Sequence, residues 1–410
     1  MESSAYPMLF SPIKVGTTEV KNRVFMPPVS TNLADHGYVT DDLVDHYRAR
    51  AKGGVGLIIT EVVTVEPTYT YLPGDMCCYD DTFIPGWEKL AAAVHEYGCK
   101  IMPQLFHPAY MAFNIPGTPR LIAPSFVGPS YAREAPRPIT VDEIHELTHQ
   151  FGDAAVRMQK AGVDGVEVHA AHAHGMLGGF LTPLYNKRTD EYGGSLPNRM
   201  RFLRMCLDEV METAARRNMA VLVKHNMEDG FKGGIEIPES LEIARAIETY
   251  GVDGIVLSSG FVSKAPMAVM RGIIPLYTMS YYMQWWLRIF VRLFGRYMIK
   301  QYPFEECFFL ENAKKFRAEL KLPLVYVGGL VSREGIERAL DSGFELVQMA
   351  RALVNDPAFV DKLREGDRST RSACDHRNYC IARMYSLDMQ CCKHCPDLPR
   401  KIREELAKLP

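Results

Sequence analysis

Three histidines fall within six residues at the end of one apolar stretch: His169, His172 and His174 in VEVHAAHAHGMLGG. Imidazole is the side chain whose ordinary pKa lies nearest neutrality. Such a cluster can move protons, donate hydrogen bonds or bind a metal. His169 and His172, three residues apart just past a buried run, read as satisfied loop histidines, as metal ligands, or as two N–H donors aimed at one substrate oxygen. In the last role they would stabilise negative charge that develops on that oxygen during reaction.

Holding such a cluster in place requires a rigid scaffold, and the chain has the pattern of one. Short apolar, β-branched runs recur: RVFMPPV, GVGLIITEVV, KIMPQLF, VDGVEVHA, MAVLVKH, GVDGIVLSS, LPLVYVGG and FELVQMA. Most are nearly continuous rather than alternating, which suits parallel strands covered on both faces. Helical patterns lie between them, such as PGWEKLAAAVHEYG and PESLEIARAIETYG, each stopping at a glycine. Eight β-then-α units in series predict an α/β chain folded as a (β/α)8 TIM barrel. A doubly wound open sheet is the alternative, but it would need a GxGxxG turn after an early strand, and the sequence has none.

Catalytic groups of such a barrel sit at the carboxyl ends of its strands. Those ends read Pro28 to Thr31, Thr60 and Glu61, Gln104 and His107, His169 and His172, Lys224, Ser258 to Gly260, Gly328 and Gly329, and Ala350 with Arg351. The ring has few carboxylates. It lacks the facing acids of a glycosidase and the His-plus-carboxylate set of a hydrolytic metal site. Glycine-rich loops after strands seven and eight, with an arginine, suit a phosphate group.

Composition narrows the classes further. Of 410 residues, 47% are apolar and 23% charged, the balance of an ordinary globular chain. A net charge of −2 gives no reason to expect nucleic acid as a partner. MESSAYPMLFSPIKVG does not read as a signal peptide, and no apolar run is long enough to span a bilayer. The expectation is a cytoplasmic homo-oligomer. Five of the ten cysteines, Cys77, Cys78, Cys99, Cys206 and Cys307, are spread along the chain, and five crowd its end. Two regions interrupt the repeat. Residues 1–365 are expected to form the barrel, with an aromatic-rich insertion at 262–312 after strand six; residues 366–410 form a Cys-rich tail.

With those motifs assembled, the sequence resembles the old yellow enzyme family of FMN-dependent NADH:flavin oxidoreductases and ene-reductases, on the branch related to dienoyl-CoA reductases. The resemblance rests on LFSPIKVG, KNRVFMPP, PQLFHPA, GVEVHAAH, FLTPLYNKRTDEYGGS, VYVGGL and ARAL. It implies FMN at the top of the barrel, reduced by NADH or NADPH. Hydride then passes to the β-carbon of an α,β-unsaturated carbonyl compound and a proton to its α-carbon. Pro28 and Ser30 would lie beside the flavin, with Glu61 and Ala350 also among the cofactor-binding groups. Gln104 would bond its pyrimidine side, and Lys224 would replace a usual arginine near N1 and O2. Gly328, Gly329 and Arg351 would fall at the phosphate. His169 and His172 would grip the substrate oxygen.

Two departures stand out. Relatives usually read HAAHGY with the tyrosine as proton donor, whereas this chain reads HAAHAH. His174 occupies that place, and Tyr185 is the alternative donor. The tail resembles a [4Fe–4S] motif but has Arg377 where a cysteine belongs. It is expected to be degenerate, the alternative being Cys374, Cys380, Cys391 or Cys392, and Cys395 around iron–sulfur or zinc.

Within the insertion, Arg288, Arg292, Arg296 and Lys300 recur every four residues beside Trp285, Trp286, Ile289, Phe290, Leu293 and Tyr297. The favoured expectation is a helix laid apolar side down on the barrel with snorkelling cations. Contact of residues 281–300 with a membrane surface and a lid over a bulky, steroid-like substrate are the other readings. Competing functions are flavin-dependent amine demethylation and a flavin electron-transfer module.

Overall fold

The computed structural model describes residues 7–112, 119–125, 135–262, 264, 266–281, 285–384 and 387–409, without the side chains of 215–217, 266–267, 286–287 and 298. Residues 282–284 and the side chain of Trp286, counted above in the aromatic stretch, therefore lie outside the described residues.

All eight apolar runs form strands: β1 (Val24–Met26), β2 (Leu57–Thr64), β3 (Lys100–Phe106), β4 (Gly165–Ala170), β5 (Ala220–Asn226), β6 (Gly254–Ser258), β7 (Leu324–Val327) and β8 (Leu346–Gln348). Each pairs in parallel with the next, and β8 returns to β1 through Val347 and Val24. That closure rules out the open sheet. Helices follow the strands, and their ends obey local chemistry. Val141–Lys160 opens with a capping box between Thr140 and Glu143. After Ile84–His95 and Ile237–Thr249 the chain turns through Gly98 and Gly251, both at positive φ.

The interior of the barrel changes character along the strands. Its lower layer is apolar: Phe25, Leu57, Ile59, Met102, Leu222, Val256 and Leu346 pack together. A hairpin of Ile13–Val15 with Thr18–Val20 adds Val15 and Val20 to that cluster. Because strand side chains alternate, the next inward position lies two residues on. Met102 gives way to Gln104, Leu222 to Lys224, Val256 to Ser258 and Leu346 to Gln348, and all four of the latter line a cavity. The period that builds the core therefore also delivers the polar site.

Strand β2 breaks this rule. Ile59 pairs with Met102 but Val62 pairs with Gln104, so three steps on β2 match two on β3. This bulge re-aims the strand. Val62 lines the cavity and Glu61 turns away.

The insertion contains helices Leu276–Tyr281 and Trp285–Met298. The second helix lies the opposite way up from the expected arrangement. Val291 and Gly295 face inward, with Leu276 against Gly295, while Trp285, Ile289, Leu293 and Tyr297 are exposed. Arginine chemistry allows this orientation. The Arg292 guanidinium lies 4.3 Å from the Tyr277 ring centre and its Nε donates to Ser280 Oγ; Arg288 donates to Tyr281 O. Lys300 lies beyond the helix end.

The tail folds back over the same end of the barrel. Glu405 accepts from the Tyr277 and Thr278 backbone N–H groups, and Met389 N–H donates to Thr31 O. Among the described residues no helix is long and apolar enough to cross a membrane.

Candidate active site

At the carboxyl end of the barrel a cavity encloses 1370 Å³, its open mouth included. Pro28 and Ser30 line it from the loop after β1, Gln104 from β3, Lys224 from β5, and Gly328, Gly329, Ala350 and Arg351 from the last two loops. His169, His172 and His174 form one wall.

The histidine loop is held in an unusual backbone. His172 and Ala173 are both left-handed, at φ +63° and +42°, which non-glycine residues seldom adopt. Several bonds impose it. Tyr110 Oη donates to Ala173 O, Val262 N–H to His172 O (3.2 Å), and His172 Nδ1 to Gly260 O (3.1 Å).

Those bonds also decide which nitrogens carry protons. Burial lowers the pKa of His169 well below the ordinary value, with the His174, His172 and Lys224 charges adding to it. Burial, then Lys224, lowers His172 to about 3, against the Gly260 bond. Burial alone lowers His174 to about 3. All three rings are neutral at physiological pH, with one N–H each. His169 Nδ1 accepts the Ala171 backbone N–H at 3.2 Å, so the proton of His169 sits on Nε2. That Nε2 lies 3.4 Å from His174 Nδ1, which leaves the proton of His174 on Nε2, a buried atom with no partner among the described residues. His172 uses its proton on Gly260, so its Nε2 is bare.

Lys224 is buried, and burial lowers its pKa against the attraction of Glu167. Glu167 is buried too; its pKa is raised by burial, opposed by Lys224 and by the Gln104 amide, which donates to Glu167 Oε1 at 2.5 Å. The three form a polar floor below the cavity.

Three groups were not singled out from the sequence. Tyr71, from the loop after β2, lines the cavity edge-on to His174 at 4.7 Å. Its run TYTYLPG lies past the strand end assigned at Glu61. Gln348 lines the cavity with both amide atoms buried and without a partner among the described residues. Glu167 and Gln348 share a signal that could have found them: a polar side chain inside an otherwise apolar strand.

Two expected site residues lie elsewhere. Tyr185 packs between Tyr110 and Phe261 and is not among the cavity-lining residues. Glu61 braces the loop after β1 from behind, accepting the Thr31 backbone N–H (2.5 Å) and hydroxyl (2.7 Å). Burial raises the Glu61 pKa in spite of those bonds. The unfolded chain then ionises first as pH rises through the carboxylate range, so this term favours the fold at low pH and is lost towards the raised pKa. Glu61→Gln removes it. Between pH 5 and pH 8 the stability of the variant should move relative to the parent, in the variant's favour, by about 1–3 kcal/mol, read by urea denaturation.

The tail cysteines do not assemble a ligand set. Among the described residues no three His, Cys, Asp or Glu side chains come together as a metal would require. Cys380 lines the cavity, Cys391 accepts from Asn355, and Cys395 lies 3.5 Å from Tyr379 Oη. Arg377 faces Asp375. These residues do not fit a four-thiolate cluster.

They do fit FMN. The orphaned Gln348 amide, the buried Lys224 and the left-handed Gly329 at the cavity end are the donors and close approach that an isoalloxazine and a phosphate require. Comparison with known proteins agrees. Residues 8–269 match the model of the NADH:flavin oxidoreductase / NADH oxidase family. The chain is 32% identical over 387 residues to 4,4'-dithiodibutanoate disulfide reductase of Rhodococcus erythropolis, covering 94% of this chain and 95% of that protein. It is 32% identical over 375 residues to NADH oxidase of Thermoanaerobacter brockii, covering 90% of this chain but only 52% of that longer protein. A 2-naphthoyl-CoA reductase in complex with 2-naphthoyl-CoA superposes with a TM-score of 0.79 at 24% identity, over 98% of this chain and 58% of that one. Barrel, cavity and motifs thus converge: the chain belongs to the NADH:flavin oxidoreductase / NADH oxidase family, that of old yellow enzyme, and is an FMN-binding, NAD(P)H-dependent oxidoreductase.

Proposed function

We propose that the chain reduces the activated C=C bond of an α,β-unsaturated carbonyl compound. Pro28, Ser30, Gln104, Lys224 and Gln348 would hold the flavin ring, and Gly328, Gly329, Ala350 and Arg351 its phosphate. When bound, FMN supplies the hydride relay between nicotinamide and substrate. The cationic Lys224 favours the anionic reduced ring, as a point charge without the planar fork of arginine.

One observation carries the reading: His169 presents an N–H whose tautomer is fixed by the Ala171 backbone, in a wall of three neutral imidazoles. That N–H is shared with His174 only at 3.4 Å, so a carbonyl oxygen can claim it. His172 lines the same wall with a bare Nε2, its own proton being held on Gly260 O; once that nitrogen has taken a proton from solvent, which growing negative charge on the oxygen favours, both rings hold the enolate oxygen more tightly than the ketone. Tyr71, the phenol among the described cavity-lining residues, would protonate the α-carbon. Tyr71→Phe should slow alkene reduction about 10²-fold and leave reduction by nicotinamide unchanged in stopped-flow traces.

A bulky, steroid-like substrate is the class that the aromatic-rich insertion at 262–312 suggests. The test is anaerobic: titrate the yellow protein with NADH and with NADPH, then add cyclohexenone, a steroid enone and 4,4'-dithiodibutanoate in turn to the reduced protein, and a tertiary amine separately to the oxidised protein, where bleaching would report amine oxidation. Reoxidation by enones supports the reading. Reoxidation by the disulfide alone would replace it with the chemistry named for the Rhodococcus relative.

A further inference from the structure

We propose that the helix Trp285–Met298 is a docking surface for an anionic lipid bilayer. Its outward face carries one straight row, Trp285, Ile289, Leu293 and Tyr297, with exposures of 72%, 53%, 62% and 86%, and a second row of Phe290 and Phe294 beside it. Residues step about 100° around a helix, so these six form a single continuous face directed away from Val291 and Gly295, which pack inward. An apolar face this broad on the outermost layer is not core.

Charge selects the occupant. Between Asp253 and Glu305 the chain has no acidic residue and six cations, in a molecule whose formal net charge is −2. Three of them, Arg288, Arg292 and Arg296, run along one flank of the apolar face, and Lys300 follows just past the helix end. Arg288 and Arg292 are steadied there by the rings of Tyr281 and Tyr277. An apolar stripe with aromatic residues at both ends and cations along one edge is the pattern of a helix lying in the headgroup plane. A second copy docking through the same face would set this basic row against itself, because a two-fold contact is self-complementary. Anionic headgroups meet it with the opposite sign.

The position gives the contact a use. The exposed helix rests on Leu276–Tyr281, which packs on the tail helices Tyr379–Met384 and Arg400–Lys408. Cys380, Ile381 and Met384 of that layer line the cavity. A bilayer held by the outer helix therefore lies over the layers that wall the site, suiting a substrate dissolved in lipid.

The experiment uses the FMN-loaded full chain in co-sedimentation with vesicles. It should pellet with phosphatidylglycerol–phosphatidylcholine vesicles, not with phosphatidylcholine alone, and should be released by high salt. Ile289→Glu with Leu293→Glu, both on the exposed face, should weaken the vesicle affinity at least about tenfold and leave flavin content and the rate on cyclohexenone unchanged. No binding to anionic vesicles overturns the proposal, as does binding that ignores lipid charge and salt. Light scattering that shows a dimer split by the same double variant, without vesicle binding, assigns the face to a second copy instead. The vesicle and light-scattering readouts do not depend on turnover, so loss of the membrane reading and loss of the ene-reductase reading remain distinguishable.

Discussion

Replacing His169 and His172 together by alanine should abolish reduction of an enone while leaving oxidation of the nicotinamide by the flavin largely intact. Donors aimed at a developing oxyanion matter only when an oxygen is gaining charge, which happens in the second half-reaction alone. Removing one such donor typically costs about 10²–10³ in rate, and the pair should take turnover to background. The tautomers divide the single variants further. His169 brings its proton ready-made, because the Ala171 N–H occupies its other nitrogen. His172 spends its proton on Gly260 and must gain a second. His172→Asn supplies an amide N–H that needs no added proton. It should therefore recover much of what His172→Ala loses and flatten the dependence of the second half-reaction on pH. Rapid-mixing measurement of each half separates these outcomes. Equal loss of both halves in the double variant would mean that the pair supports the fold or the flavin and not the substrate oxygen.

The barrel was legible because parallel strands buried on both faces leave continuous apolar runs, and all eight runs became strands. The strand ends were legible for the same reason: once inside and outside are known, the last inward position follows by counting in twos. That counting fails at a bulge. Glu61 looked like a site residue, yet the extra residue between Ile59 and Val62 turns it behind the loop it braces. Nothing local in LIITEVV announces the slip, because the residues on both sides of it are apolar and either could face inward. The insertion shows a second limit. Amphipathicity identifies the helix Trp285–Met298 and its two faces but does not say which face meets the protein. Here Arg288 and Arg292 reach tyrosines of the neighbouring helix, Val291 and Gly295 provide the close approach, and the larger apolar face is left outward. The histidines were conspicuous as a cluster, but their proton positions required the backbone groups of Ala171 and Gly260, and Gly260 is 88 residues from His172 in sequence.

Gly329→Val should give a folded protein that loses its yellow colour. Gly329 sits at φ +76°, where an L side chain is strained by roughly 1–2 kcal/mol. A Cβ built there would also lie 2.6 Å from the Phe308 ring and 3.1 Å from Phe304. Both rings line the cavity, so relieving the overlap drives them into the end where the glycine loops lie. The backbone could then no longer approach a phosphate closely, and Arg351, whose guanidinium lies 5.5 Å from the Phe304 ring centre, would be displaced with it. The affinity for FMN should fall by at least about 10²-fold, as expected when several charge-assisted phosphate contacts of about 1.5–3 kcal/mol each are disturbed together. Strain and crowding are separable by a second glycine. Gly98 has a similar φ of +62° with nothing within 4 Å of its Cβ position, far from the cavity lining. Gly98→Val pays the backbone strain without the steric clash; it should lower the melting temperature and keep its flavin. Absorbance at the flavin band per protein, with a titration of added FMN followed by fluorescence quenching, compares the two. If Gly329→Val binds FMN as the parent does, the phosphate does not lie at the loop after β7, and the orientation assigned to the cofactor in this cavity fails.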